Sequence, residues 1–120
     1  MSAHWDHATA LDRLEGDESL LQELIAIFFE EYPQLSDRLR HALAQSDLAA
    51  VRQTAHSLKG SLGYIGFIDA ADLALEVEKA SRAEDAAGAA GLAAALMTEI
   101  EAAQKTMVAT GGRNHGPVAR

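Results

Sequence analysis

The sequence predicts an all-α fold: an antiparallel four-helix bundle with a short N-terminal capping helix. Three observations carry this reading. Apolar residues recur with a period near 3.6 through most of the 120 residues, the spacing that gives a helix one apolar face. Val, Ile and Thr are too scattered to form alternating strands. Only two prolines occur, Pro33 and Pro117, so long stretches are free of the residue that most disrupts a helix.

The elements follow in order. A short amphipathic segment from about Trp5 to Leu14 opens the chain, and its Trp5, Leu11 and Leu14 are expected to cap one end of the bundle. After the Gly16-Asp17 break, one stripe runs through Leu21, Leu24, Ile25, Phe28, Tyr32, Leu35, Leu39 and Ala42. Pro33 lies inside this stripe and is expected to kink the helix or split it in two. Asp47 is the expected N-cap of the next helix, because its carboxylate can accept from unpaired backbone N–H groups. That helix turns Val51, Ala55, Leu58 and Leu62 inward. A third stripe, after Gly66, passes through Phe67, Ala70, Ala71, Ala74, Val77 and Ser81, and a fourth through Ala93, Leu96, Ile100, Ala103 and Met107. Ala-rich faces on these last two helices permit close approach. The division expected is a bundle over residues 1–110 and a disordered tail over 111–120, where periodicity stops and three glycines occur.

Composition narrows the function. One domain's worth of chain leaves room for a single core. Eighteen Asp and Glu against ten Lys and Arg give a net charge of -8, the wrong sign for coating phosphate backbones, so no nucleic-acid partner is expected. The absence of cysteine excludes disulfides, thiolate metal sites and a cysteine nucleophile. No apolar run approaching a bilayer span is evident, nor a signal peptide at MSAHWDHATALD. A soluble, cytoplasmic protein without a membrane partner is expected.

One segment defies a pure scaffold reading: AHSLKGSLGYIGF, Ala55 to Phe67. At about 100° per residue, His56 points roughly 130° away from the core direction and is expected on an exposed flank. Arg52, Lys59, Gly60 and Gly63 lie within about 60° of it on the same wheel. A helical glycine costs about 1 kcal/mol relative to alanine, and this chain uses alanine freely elsewhere. Bare backbone beside an exposed imidazole would let a partner bring its reactive group close. The other reading is that Gly63 and Gly66 end the helix and Gly60 marks a close helix crossing.

A second oddity lies in the third stripe, where Glu78 falls about 40° from Ala74 and hence inside the inward face. A buried carboxylate needs a hydrogen-bonded or charged partner. An imidazole Nδ1–H from the neighbouring helix would satisfy it, fixing the tautomer that leaves the lone pair on Nε2 and making that nitrogen a competent nucleophile. The alternative is that Glu78 reaches out to Lys79 or Arg82 at the rim. Among the other candidates, His4 and His7 are expected to be solvated, His41 to sit on the polar side of its helix, and His115 to lie in the tail. Ser57 is rotated about 100° from His56. Phe28, Phe29 and Tyr32 are expected in the core and rim, with an exposed Phe29 as a possible widening of a docking patch.

His56-Ser57-Leu58-Lys59-Gly60 followed by Ile65-Gly66 resembles the signature of histidine-containing phosphotransfer (HPt) domains. The resemblance covers almost the whole chain, including Leu11 to Leu14, Gly16-Asp17, the central proline, Asp47, Val77-Glu78 and Arg82. It implies that His56 takes a phosphoryl group on Nε2 from the aspartyl phosphate of a response-regulator receiver domain and passes it to another receiver's aspartate. Lys59 would balance phosphate charge, Glu78 would hold Nδ1, and Gly60 would leave room for the docking receiver. Arg52, Gly63 and Arg82 would complete the docking flank. Tyr64 and Phe67 stand where Asn and Ala are frequent, and the Gly-Phe pair resembles the phosphorylated domain of chemotaxis-type histidine kinases.

The expected protein is therefore a monomeric carrier rather than an enzyme, working with receiver domains and a hybrid histidine kinase. It needs no cofactor or metal of its own, Mg²⁺ being supplied by the receiver. Met1 and the loose tail suggest a free-standing protein. The alternatives are a helical adaptor that binds without phosphotransfer, or a fragment of a larger hybrid or chemotaxis-type kinase.

Overall fold

The structure is a computed structural model that describes residues 5–115, with side chains described as far as Met107. The described residues form α1 (His7–Arg13), α2 (Glu18–Ala44), α3 (Leu48–Tyr64), α4 (Ile68–Arg82) and α5 (Ala86–His115). Helices α2 to α5 pack in sequence order and α5 returns to α2, while α1 packs against α2. This is the expected antiparallel bundle with an N-terminal capping helix.

Short connections set the antiparallel order, and they are built alike. Each of the three turns between α2 and α5 contains one residue with positive φ: Ser46 at 54°, Gly66 at 94° and Glu84 at 59°. In each, the following N–H reaches back to a carbonyl five residues earlier: Asp47 to Ala42, Phe67 to Leu62 and Asp85 to Ala80, all at 2.9 Å. These bonds take up carbonyls that the helix ends leave orphaned. Asp47 then starts the next helix, its carboxylate accepting from the Ala50 N–H at 3.1 Å as expected, and Asp85 does the same with Gly88 at 2.9 Å. Only Gly66 has its identity forced by space as well as by φ. An added Cβ there would lie 2.7 Å from the Asp6 carbonyl oxygen.

The inward stripes read from the sequence form the core, which includes Leu21, Leu39, Leu58, Leu62, Phe67, Leu96 and Ile100, all nearly or fully inaccessible. Trp5, Leu11 and Leu14 pack against it. Tyr32 is buried between α2 and its neighbours, and burial pushes its phenol up to about 12.

Three expectations change. Pro33 does not split α2, which runs unbroken for 27 residues. Proline removes one ladder bond, but Phe28, Tyr32, Ser36 and Leu39 are buried on both sides of it and hold the two halves in one helix. At the other end α5 continues to His115, so the division at residue 110 falls within a helix; residues 116–120 and His4 lie outside the described residues. Finally, Ala86–Met107 is long and apolar enough to cross a membrane by length and composition alone, with mean hydropathy 1.2. Alanine accounts for that value, and Ala89, Ala93, Leu96, Ile100 and Ala103 of this stretch lie in the bundle core.

Candidate functional site

Helix α4 presents alanines at 70, 71 and 74 to the core, and small side chains let α3 and α4 approach closely. One polar residue interrupts that inward face. The Glu78 side chain is only 3% exposed, whereas the His56 side chain on α3 is 66% exposed. The two meet across the seam, with His56 Nδ1 3.1 Å from Glu78 Oε2. A carboxylate can only accept, so the neutral imidazole places its Nδ1–H on Glu78 and leaves the lone pair on Nε2.

Two cations complete the cluster. Arg82, one turn beyond Glu78, donates to the same Oε2 at 2.9 Å. Lys59 Nζ, one turn beyond His56, lies 2.9 Å from Oε1 at ion-pair distance. Lys59 above all, helped by His56, holds the Glu78 carboxyl below its ordinary value of 4.5, against the opposing effect of burial. The carboxylate therefore stays ionised near neutral pH. Both readings of Glu78 contribute to the result: it is inward and holds His56, and it also takes Arg82. Lys79 is not involved, pairing instead with Glu76 at 3.7 Å.

The glycines separate. Nothing lies within 4 Å of a Cβ built on Gly60, so it marks no helix crossing and leaves open space beside His56. Gly63 faces α4, where an added Cβ would meet Ala71 Cβ at an ordinary 3.9 Å. Gly66 serves the turn after α3. Arg52 is half-buried and lines a hollow of about 360 Å³ with Gln53, His56, Ser57, Glu78 and Arg82. Lys59 and Arg82 are thus engaged by Glu78, while Arg52, which shares the hollow with His56 and Arg82, has no ion pair among the described residues.

On the other side of His56 is a feature that sequence reasoning missed. A groove of about 680 Å³ between α2 and α3 is lined by Leu24, Ile27, Phe28, Leu35 and Tyr64, with Glu31 among the polar residues at its edge. Ile27 and Tyr64 are 42% and 48% exposed, unusual for such large apolar groups. The available signal was Ile27, an aliphatic residue off the inward stripe of α2. Phe29, considered as a possible docking residue, is half-buried and packs edge-on against Phe28 and Phe67. His7 is not free either: its Nε2 lies 2.6 Å from Glu18 Oε1, and its ring lies against Trp5. Ser57 and His41 are exposed.

His56 thus stands between a cationic hollow and an apolar groove, with one ring nitrogen anchored and the other available for chemistry. In comparisons with known proteins, the family model described as "Hpt domain" matches residues 23–106. No curated protein and no solved structure matches the chain.

Proposed function

The chain belongs to the Hpt domain family, whose members carry phosphoryl groups in two-component phosphorelays, and from that premise we propose that His56 is the carrier residue. The observation that supports this most directly is the exposed imidazole with Nδ1 on a buried carboxylate. In the step proposed, Nε2 attacks the phosphorus of a receiver's aspartyl phosphate. The N–P bond forms as the P–O bond to the aspartate breaks, and the aspartate leaves as a carboxylate. The ring keeps its Nδ1 proton and gains positive charge, which Glu78 stabilises across 3.1 Å. Transfer to a second receiver reverses the exchange.

Phosphoryl transfer asks for alignment and charge compensation rather than covalent work by the protein. Lys59, Arg82 and Arg52 supply positive charge beside His56 in a chain whose net charge is -8. We assign the Mg²⁺ that the reaction requires to the receiver. Histidine kinases and receivers are the partners typical of the family; for this chain we propose receiver domains fed by a hybrid histidine kinase, a cytoplasmic location and a monomeric state. The apolar groove and the open strip at Gly60 are the surface on which we place the receiver.

Mixing the chain with a receiver carrying radiolabelled aspartyl phosphate should move acid-labile, alkali-stable label onto it. Receivers that bind without ever transferring label would instead identify an adaptor.

Gly60 gives a second test. Gly60→Ala is expected to stabilise the fold by up to about 1 kcal/mol through helix propensity, because the added methyl meets nothing. It should nevertheless slow transfer severalfold by crowding the receiver. Gly91→Ala on α5, likewise unobstructed, should stabilise without slowing transfer. Denaturation midpoints and transfer rates check both, and equal rates in the two variants would remove Gly60 from the docking strip.

A further inference from the structure

Helix α1 precedes residues 23–106, the stretch matched by the family model, yet the N-terminal segment is bonded to the end of α3, beside the groove. Four consecutive carbonyls there receive donors from it. One terminal nitrogen of Arg13 donates to Gly63 O at 2.7 Å and to Tyr64 O at 3.0 Å. Trp5 Nε1 donates to Ile65 O at 3.0 Å, and the Asp6 N–H to Gly66 O at 2.7 Å. Gly63 O and Gly66 O also accept the Gly66 and Ile68 N–H groups, at 3.2 and 3.0 Å, but a helix C-terminus leaves its last carbonyls without ladder partners, and for Tyr64 O and Ile65 O the N-terminal segment supplies the donor.

Arg13 does something more. Its guanidinium also sits over the Tyr64 ring, 5.8 Å from the centroid, within the range of cation–π attraction. Tyr64 is half exposed and forms part of the groove wall next to His56. An unrestrained tyrosine in a final helical turn would change rotamer and lose that freedom on binding, at a cost in affinity. Arg13 holds backbone and ring together, so the wall is formed before a partner arrives.

We infer that α1 acts as a clamp for partner recognition: Arg13 fixes Tyr64 as a preformed wall of the groove, and the Tyr64 ring is a specificity-determining contact for the apolar surface of a receiver domain. The inference rests on the receiver-docking reading above. A fixed aromatic ring contributes large contact area at small entropic cost, and tyrosine is enriched among the residues that dominate binding energy. The remaining wall residues Leu24, Ile27, Phe28 and Leu35 are apolar, matching an apolar partner surface. Arg13 is a positioning residue that acts through Tyr64 and takes no part in the phosphoryl step.

The test uses the full chain and, from a purified panel of receiver domains, the one that binds it most tightly. Dissociation constants and transfer kinetics are measured for Arg13→Ala, Tyr64→Ala, Tyr64→Phe and the Arg13→Ala/Tyr64→Ala pair, with thermal melts to confirm folding. Tyr64→Ala should weaken binding about tenfold and leave the rate at saturating receiver within about twofold. Tyr64→Phe, which keeps the ring, should match wild type. Arg13→Ala should weaken binding about three- to tenfold, and much less once Tyr64 is already alanine, as expected of coupled residues.

Unchanged binding in Arg13→Ala, or losses that simply multiply in the double variant, would overturn the clamp, as would failure of every receiver to bind. Binding that depends on Tyr64 and Arg13 without any label transfer would leave the clamp standing and refute phosphotransfer, so the two failures are distinguishable.

Discussion

His56→Gln is expected to lose all acid-labile label in assays that phosphorylate the wild-type chain, while its fold and stability stay within about 0.5 kcal/mol of wild type. The chemical reason is that a carboxamide nitrogen is not nucleophilic. The structural reason is that the side chain being replaced is 66% exposed and contributes little packing. Glutamine also keeps an N–H donor for Glu78, so the buried carboxylate is not stripped of partners and the loss of label cannot be ascribed to unfolding. His41 and His7 offer no equivalent: the first is an exposed residue in the last turn of α2, and the second is held by Glu18. Label persisting on His56→Gln at wild-type levels would place the acceptor elsewhere.

Glu78→Ala is the substitution expected to slow transfer most while leaving the nucleophile in place, by about 100-fold. Three groups depend on one carboxylate: His56 for its tautomer and orientation, and Lys59 and Arg82 for their positions. Without it the ring turns freely and either nitrogen can carry the proton. Glu78→Gln should fall between, since its amide oxygen can still accept from Nδ1–H but cannot compensate the charge that the phosphorylated ring acquires. Single-turnover transfer rates check the order wild type, Glu78→Gln, Glu78→Ala, and equal rates in all three would remove the carboxylate from the mechanism.

The same carboxylate sets an acid limit. Its folded pKa lies below the ordinary 4.5, so the native state binds fewer protons there than the unfolded chain. Its stabilising contribution is therefore complete above that ordinary value and is lost as pH falls through the lower folded value. Wild type should lose more stability than Glu78→Gln between about pH 5 and pH 3. Urea midpoints across that range test the sign, and parallel curves would contradict it.

The core was legible because a helix that buries one face must repeat its apolar residues every three or four positions, and Val51, Leu58, Leu62, Ala74 and Val77 do so. The site was legible for the opposite reason. Glu78 breaks the repeat with a charge, and His56 stands off the stripe with Gly60 beside it. The split that Pro33 could have caused does not occur because the cost of one missing backbone bond is local, whereas the burial that outweighs it comes from α2 residues packing against other helices. The groove and the Arg13 clamp were hidden because they bring together residues far apart in sequence, Leu24 and Tyr64 as walls of one groove and Arg13 bonded to Gly63. No periodicity within one helix encodes such contacts. Phe29 is at the rim, as its helical spacing with Phe28 and Tyr32 implied, and the approach of Phe67 from the start of α4 removes the alternative of an exposed docking residue.

The most direct test of the carrier assignment is to phosphorylate the isotopically labelled chain with a receiver and identify the bonded nitrogen by ³¹P–¹⁵N coupling. The result expected is one N–P bond at Nε2 of His56, with Nδ1 still protonated and hydrogen-bonded to Glu78. A bond at Nδ1, a phosphoryl group on any other residue, or no transfer from any receiver would contradict the account.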